Sequence, residues 1–314
     1  MLAICWRIEP PGTQTANLVE EVALLGQKTL SGNPSQRRPR QTAVDDTGAV
    51  ALQKQFITAG AVNRSYLVAE PPPDAPVSAV IMSLHGIRST AARQARLTGF
   101  GQLARTASAV VVFPQAIEPI GTGYEWDPSQ DVDYIAGLAT ELRRRHRTPH
   151  GRVILTGMSG GARMSSLFAS VHPELVQAVG AVAGLRSPGV PVHRPVPILS
   201  FHGTKDRINP YGGSGTRRWN ESVPDAARAW ALANCVTAPP AEVAVSPTLT
   251  RTTYGAEGQP GEVTLWTSRG ARAGHTWPGG HLGLLLSLFL GRTSREIDAT
   301  KSIWEFGLRH AGDP

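Results

Sequence analysis

Residues 152–165 constrain the fold of this chain more than any other stretch. Arg152 to Thr156 is a short apolar run rich in β-branched residues, which predicts a buried strand. Gly157-Met158-Ser159-Gly160-Gly161 follows with G-x-S-x-G spacing, and Ala162 to Val171 predicts a helix. A serine on so sharp a strand-to-helix turn stands exposed at the top of a sheet, and the flanking glycines leave room for the turn. The context therefore predicts a nucleophile at Ser159, although a structural serine in a tight turn would give the same pentapeptide.

Apolar runs and amphipathic segments alternate along the rest of the chain. Strands are predicted over residues 55–59, 64–69, 77–84, 109–113, 152–156, 176–182, 197–201, 249–254 and 262–267. Helices are predicted over residues 90–106, 129–145, 162–171, 224–234 and 298–310. This alternation predicts an α/β fold with a mostly parallel central sheet and helices on both faces. Residues 49–314 are expected to form this single domain, and the polar, Pro- and Arg-containing residues 1–48 a loose N-terminal extension.

Charge and composition argue against several function classes. The net charge of +7 comes mainly from arginine, but the dense clusters at 37–40 and 143–147 lack the interleaved aromatic residues typical of nucleic-acid binding. No stretch approaches the ~20 apolar residues of a membrane-spanning helix. No histidine spacing suggests zinc, so neither a metal nor another cofactor is expected. The apolar run from Leu2 to Trp6 is too short for a signal peptide, which favours a cytoplasmic address unless the true start lies elsewhere.

A nucleophilic serine needs an acid and a base. Hydrolases with the serine on such a strand-to-helix turn follow the chain order serine, acid, histidine, so both residues are expected after Ser159. Asp206 lies a few residues beyond a predicted strand and is preferred to Asp225, which is typical of a helix start. His275 lies in a Gly- and Pro-containing loop after the last strand and is the predicted base, with His281 as the fallback. His310 ends the last helix and is expected at the surface, where it would favour the helix dipole.

Two backbone N–H groups are expected to form an oxyanion hole for the tetrahedral intermediate. One belongs to Gly160, directly after the nucleophile, and the other to Ile87 in the loop after the strand over 77–84. Four further side chains are predicted to line the substrate site, and the two histidines among them to orient loops there: His85, Trp126, His202 and Trp277.

Several motifs together resemble the polyhydroxybutyrate depolymerase and feruloyl esterase family of α/β-hydrolases. They are Leu84 to Gly86, Val112 to Ala116, Gly157 to Gly161, His202 to Asp206, Pro210 to Gly213, His275 to Gly279 and Ile303 to Phe306. The resemblance covers about residues 55–312. It implies an α/β-hydrolase fold and a secreted serine esterase acting on polyester, feruloyl or acetyl-polysaccharide esters, with Ser159, Asp206 and His275 as its triad.

Three other interpretations stay open from the residues. A peptidase or a thioesterase could use the same fold, since fold does not fix substrate. A non-catalytic carbohydrate- or lipid-binding relative could also keep the fold, although a complete triad in the expected order argues against it. The apolar segment 282–290 is expected to be either a core segment or a flap over the acyl pocket.

Overall fold

A computed structural model describes residues 50–60, 62–148, 152–216, 219–280 and 290–311. The chain divides into a unit over residues 1–43 and a unit over residues 44–314, and all the described residues belong to the second. The predicted N-terminal extension over 1–48 and all but the last residue of the apolar segment 282–290 lie outside the described residues.

A ten-stranded sheet runs through the described part of the chain in the order β1-β2-β4-β3-β7-β8-β9-β12-β11-β10, with β5 and β6 as a separate two-stranded hairpin. The strands are β1 Gln53–Ala59, β2 Val62–Ala69, β3 Val80–Leu84, β4 Val110–Pro114, β5 Glu118–Ile120, β6 Gly123–Glu125, β7 Val153–Met158, β8 Val176–Val182, β9 Ile198–Gly203, β10 Ala241–Ser246, β11 Leu249–Tyr254 and β12 Val263–Ser268. The six central strands from β4 to β12 are mutually parallel, and antiparallel strands complete both edges.

Six α-helices connect these strands in the described residues. They are α1 Ala91–Thr98, α2 Leu103–Thr106, α3 Pro128–His146, α4 Gly160–Val171, α5 Val223–Ala233 and α6 Ala299–Arg309. Two hydrophobic clusters pack on the sheet. One includes residues of α3, α4 and α5, and the other residues of α1 and α6. The predicted α/β architecture, with a mostly parallel sheet covered on both faces, is therefore confirmed.

Local differences from the predicted elements have identifiable causes. The helix predicted over 90–106 is broken at Gly99, whose φ of 66° is left-handed and ends α1. A short 3-10 turn over Phe100–Gln102 then leads into α2. The stretch between the strand predicted over 109–113 and the helix predicted over 129–145 contains the hairpin β5–β6. The edge strand β10, which sequence patterning did not predict, is exposed along most of its length and so carries no buried apolar face.

Candidate active site

Four loops that follow parallel strands meet at one edge of the sheet. His85 follows β3, Ser159 follows β7, Asp206 lies three residues beyond β9, and His275 lies beyond β12. In the sheet β3 pairs with β7, and β8 separates β7 from β9, which pairs with β12. Because the carboxyl ends of parallel strands form the ligand-binding edge of such sheets, this topology gathers the candidate residues at the expected location.

Ser159 stands on a strained backbone turn between β7 and α4. Its φ of 55° and ψ of −113° are rare for a residue with a side chain, and such conformations cost on the order of 1–3 kcal/mol. The turn also requires close approach of two glycines, because a Cβ on Gly161 would lie 2.2 Å from the Leu84 carbonyl oxygen. Likewise, a Cβ on Gly157 would lie 2.4 Å from the Gly161 carbonyl carbon. The predicted strand–turn–helix context is thus present, and it holds Ser159 at the strand end.

Asp206 and His275 form a buried pair. The Nδ1 atom of His275 lies 2.7 Å from Oδ2 of Asp206, and each residue is only 4% exposed. The other carboxylate oxygen, Oδ1, accepts hydrogen bonds of 2.8 Å from the backbone N–H groups of Ile208 and Asn209. Burial acts to raise the pKa of the Asp206 carboxyl, but hydrogen bonds from His202 and His275 outweigh it and hold that pKa well below its usual range. The carboxylate therefore stays ionised and directs the Nδ1 proton of His275.

The backbone around His275 contacts Leu290, the first described residue after the gap over residues 281–289. The His275 N–H donates to the Leu290 carbonyl at 2.6 Å. A Cβ on the preceding residue, Gly274, would lie only 2.3 Å from that same oxygen. Gly274 is thus required for this close contact, which positions the backbone that carries the His275 side chain.

The competing residues lie elsewhere. Asp225 is in the first turn of α5, where its N–H donates to the Ser222 side chain, as a helix-start residue does. His310 is 7% exposed, so the prediction of a surface position is wrong. Its Nε2 lies 3.0 Å from Oε2 of the buried Glu262 and joins the end of α6 to the start of β12. His281 lies outside the described residues.

The backbone nitrogens predicted for the oxyanion hole are neighbours. A Cβ built on Gly160 would lie 3.1 Å from the backbone nitrogen of Ile87. Gly160 opens α4, and the first N–H groups of a helix have no acceptor within it. The two groups therefore border one small space beside Ser159.

A network of buried hydrogen bonds under the β3 loop holds His85 and Gly86, the two residues before Ile87. The Nδ1 atom of His85 lies 2.8 Å from the Gly86 carbonyl, and its Nε2 accepts from the Ala116 N–H at 3.2 Å. The Trp126 indole donates to the His85 carbonyl at 2.7 Å, with the two rings 5.0 Å apart. Because the imidazole is fully buried, desolvation lowers the pKa of His85 to about 4 and keeps it neutral. His85 thus bonds to the backbone of the loop, and a side chain with no exposed surface does not fit the predicted substrate contact.

Two more of the predicted substrate residues are internal. The Trp277 side chain is 1% exposed, donates from Nε1 to Thr300 and packs edge-on against Phe100. Its predicted substrate contact is therefore wrong, because the indole belongs to the core between α1 and α6. His202 is also buried, with Nε2 2.8 Å from the Asn209 carbonyl and 3.3 Å from Oδ2 of Asp206. It orients the acid loop and offers no surface to a ligand.

A cleft of about 160 Å³ opens beside Gly160 and Ile87. It is lined by Ile87, Glu125, Trp126, Pro128, Gly160, Arg163, Met164 and Leu167. Trp126 is the predicted substrate residue that does face this space. The cleft combines apolar walls with one basic and one acidic side chain, and it adjoins the two backbone nitrogens described above.

Sequence reasoning missed Asn209 and the α4 residues of the cleft. Asn209 is 2% exposed, and its side-chain amide donates to the Ala183 carbonyl at 2.6 Å. Its position three residues after Asp206 is a turn spacing that could have drawn attention to it. Arg163, Met164 and Leu167 share one face of a helix, and helical spacing alone cannot tell a cleft from a core.

Within the described residues, no group of three or more His, Cys, Asp or Glu side chains could hold a metal ion. None of the helices described is long and apolar enough to cross a membrane.

The strand order and the helices on both faces give the chain an α/β-hydrolase fold. An acetyl xylan esterase from Aspergillus awamori has a similar solved structure, with a TM-score of 0.60, 17% sequence identity, and coverage of 82% of this chain and 99% of that one. At this level of identity the likeness confirms the predicted fold alone. No family model matches the chain.

Similarity in sequence leads to proteins named as esterases. A protein of Nocardia uniformis subsp. tsuyamanensis, provisionally named as the esterase NocK, is 29% identical over 197 residues, which cover 58% of this chain and 55% of that protein. A bifunctional acetylxylan esterase/xylanase of Neocallimastix patriciarum is 29% identical over 144 residues, 44% of this chain and 20% of that protein. The chain thus spans about half or less of these relatives' length. The resemblance to esterases of this group, predicted from the motifs, is confirmed.

Proposed function

We propose that this protein is a serine esterase that hydrolyses carboxylic esters through a covalent acyl-enzyme. The buried hydrogen bond of 2.7 Å between His275 and Asp206 carries the proposal, since it lies at the same sheet edge as the strained Ser159. A carboxylate that accepts a hydrogen bond from Nδ1 keeps the imidazole proton on that nitrogen. The other ring nitrogen, Nε2, is then unprotonated and can act as a base.

In the first half of the reaction, Ser159 Oγ attacks the ester carbonyl carbon while its proton passes to Nε2 of His275. The carbonyl oxygen becomes an oxyanion, which accepts hydrogen bonds from the backbone N–H groups of Gly160 and Ile87. The carbon–oxygen bond to the alcohol then breaks, and the alcohol leaves with the proton from His275. Throughout, Asp206 holds the imidazole in one tautomer and stabilises its charged form.

In the second half, water attacks the acyl-enzyme and gives its proton to His275. The second tetrahedral intermediate collapses, the bond to Ser159 Oγ breaks, and the serine recovers its proton as the acid leaves. Both halves use one base and one oxyanion site, so the reaction needs no group beyond this chain and water.

The substrate is inferred to be a small acyl ester, such as an acetyl group on a polysaccharide. The cleft beside Gly160 and Ile87, at about 160 Å³, is close to the ~150 Å³ cavity that accommodates benzene in another protein. It has room for an acetyl group or for one aromatic ring, which keeps feruloyl and polyester substrates within the proposal. The relatives named as acetylxylan esterases favour the acetyl ester.

Ser159→Ala tests the proposed function. The variant should lose about three to six orders of magnitude in ester hydrolysis, the range for loss of a triad serine. It should also lose covalent labelling by a fluorophosphonate, read by mass spectrometry of the Ser159 peptide. Ser246→Ala, on the edge strand β10, is the control and should keep both properties.

An Ser159→Ala variant that stays folded and keeps more than about a tenth of the activity would contradict the proposal. A panel of acetyl, hydroxybutyryl, feruloyl and aryl esters, with an anilide and a thioester beside them, separates the ester substrates from one another. It also separates an esterase from a peptidase or thioesterase. Secretion, which the family resemblance implies, is proposed as well and is checked by assaying the culture medium of producing cells.

A further inference from the structure

Asp206 contacts a second imidazole besides that of His275. His202 is the residue before the last of strand β9, and its side chain is buried. Its Nε2 lies 2.8 Å from the Asn209 carbonyl oxygen and 3.3 Å from Oδ2 of Asp206. Both neighbours are acceptors, so Nε2 carries the proton and donates to both. The ring is held between Tyr211 and Trp219, at centroid distances of 6.0 and 5.9 Å.

We propose that His202 is a positioning residue for the esterase reaction: it fixes the Asp206 carboxylate and weakens its hold on the proton of His275. This inference rests on the proposed function. It assigns His202 neither substrate contact nor proton transfer, because its imidazole is enclosed.

Two imidazoles share one oxygen of the Asp206 carboxylate. Oδ2 of Asp206 is 2.7 Å from His275 and 3.3 Å from His202, while Oδ1 is occupied by the two backbone N–H groups of Ile208 and Asn209. Each donor withdraws part of the negative charge that would otherwise stabilise protonated His275. Removing the His202 donor should therefore leave a more basic carboxylate and a base that becomes protonated at higher pH.

A chain of hydrogen bonds also connects Asp206 with the turn that carries Ser159. Asn209 accepts from His202, donates its N–H to Asp206, and donates its side-chain amide to the Ala183 carbonyl at 2.6 Å. The residue before Ala183, Val182, accepts the Ser159 N–H at 2.8 Å. His202 thus closes the loop that ties the acid to β8, the strand that separates it from the nucleophile.

Other titratable groups around this pair are few in the described residues. Tyr211 packs edge-on against the His202 ring, and its hydroxyl is 3.0 Å from that of Thr267. Lys205 and Arg207 flank Asp206 in the chain with exposed side chains. The same two cations are present in every variant below, so a difference between variants reports on His202.

Comparing His202→Phe with His202→Gln separates loss of the hydrogen-bond donor from simple loss of packing. Phenylalanine keeps the ring and removes the donor, whereas glutamine keeps an N–H donor at a similar reach. In the Phe variant kcat/KM should fall about 10- to 100-fold, the equivalent of a lost hydrogen bond to a charged group. The acid limb of its pH profile should move up by about half to one pH unit. The Gln variant should recover most of the rate and the wild-type limb, and Tyr211→Phe should leave the limb in place.

A folded Phe variant with an unmoved acid limb overturns the inference, whether its rate is unchanged or equally reduced at every pH. If the Phe variant does not fold, the Gln variant decides by its limb and by the NMR signal of the His275 Nδ1 proton. Both should match wild type, and a displaced signal or limb would contradict the assignment. These outcomes are separate from failure of the esterase proposal, which would appear as activity retained in Ser159→Ala.

Discussion

The two sides of the candidate site are built from different parts of the chain. On the side formed by Ser159 and the loops after β9 and β12, the acid–base side, side chains would carry the proposed chemistry, and the Asp206–His275 hydrogen bond is its centre. On the side formed by the loop after β3 and the first turn of α4, the oxyanion side, the backbone nitrogens of Ile87 and Gly160 lie beside one cleft. The side chains of His85 and Trp126 hold the backbone there, and Trp126 also lines the cleft.

This difference teaches where substitutions should act. In the proposed reaction, the acid–base side supplies the reacting atoms or the atoms that touch them, so a change there can alter the reaction while the fold survives. A change on the oxyanion side reaches the reaction only through the backbone, so it should alter stability first and the rate second. Two imidazoles illustrate the contrast: His275 donates its Nδ1 proton to the Asp206 carboxylate, whereas His85 is buried among backbone groups and kept neutral.

Asp206→Asn should give the largest effect in this comparison. The amide would no longer hold the tautomer of His275 that can accept the serine proton, and kcat should fall by about 10⁴ with the fold intact. Steady-state kinetics and melting temperature measure both quantities. Asp225→Asn, in the first turn of α5, is the matched control and should keep nearly all activity. A variant at 225 more damaged than the one at 206 would transfer the role of acid to the helix.

Because of His85, the free energy of unfolding should decrease as the pH falls. Burial lowers the pKa of His85 to about 4, while an exposed imidazole in the unfolded chain titrates near ~6.5. As the pH falls below about 6.5, the unfolded state takes up a proton that the folded state refuses until about pH 4. The contribution of His85 to stability is therefore complete above that window and falls by about 3 kcal/mol across it.

Urea unfolding of wild type and His85→Gln between pH 7.5 and 4.5 measures this loss. Glutamine cannot take up the proton, so the wild-type advantage should shrink steadily on acidification. Leu232→Gln, at a 52% exposed position with no titratable group, serves as the control and should show a nearly constant difference from wild type. A constant difference for His85→Gln as well would mean that the buried imidazole does not couple folding to pH.

The acid–base side could be read from sequence to a large extent, and the oxyanion side to a much smaller one. Ser159, Asp206 and His275 follow strands in a fixed chain order, so local pattern and parallel topology suffice to bring their loops to one edge. The burial of Trp277 could not be read in the same way. That depends on Phe100 and Thr300, which lie far away in the chain, and the motif next to His275 gives no sign of them.

The fold shows the same division between local and distant causes. Continuous apolar runs predicted the central parallel strands, whereas the break at Gly99 depends on a left-handed backbone angle that the helical pattern conceals. The predicted surface position of His310 was wrong because its partner, Glu262, lies 48 residues earlier in the chain. The helix dipole favours a histidine at the C-terminal end of a helix, and this alone predicts an exposed position. The sequence gives no sign of the buried carboxylate that contacts it.

Trp126→Phe should give the smallest effect and tests whether the backbone alone serves the oxyanion side. Phenylalanine keeps an aromatic wall in the cleft but removes the indole donor to the His85 carbonyl. Loss of one such hydrogen bond costs about 1 kcal/mol, so the melting temperature should fall by a few degrees. If the loop carrying Ile87 also loosens, kcat should fall by up to about tenfold while KM for a small acetyl ester changes little, because an oxyanion contact acts in the transition state. Thermal unfolding and steady-state kinetics on one acetyl ester measure both quantities. A rise in KM at constant kcat would instead make Trp126 a substrate-binding wall, and the two sides of the site would then differ less than their geometry indicates.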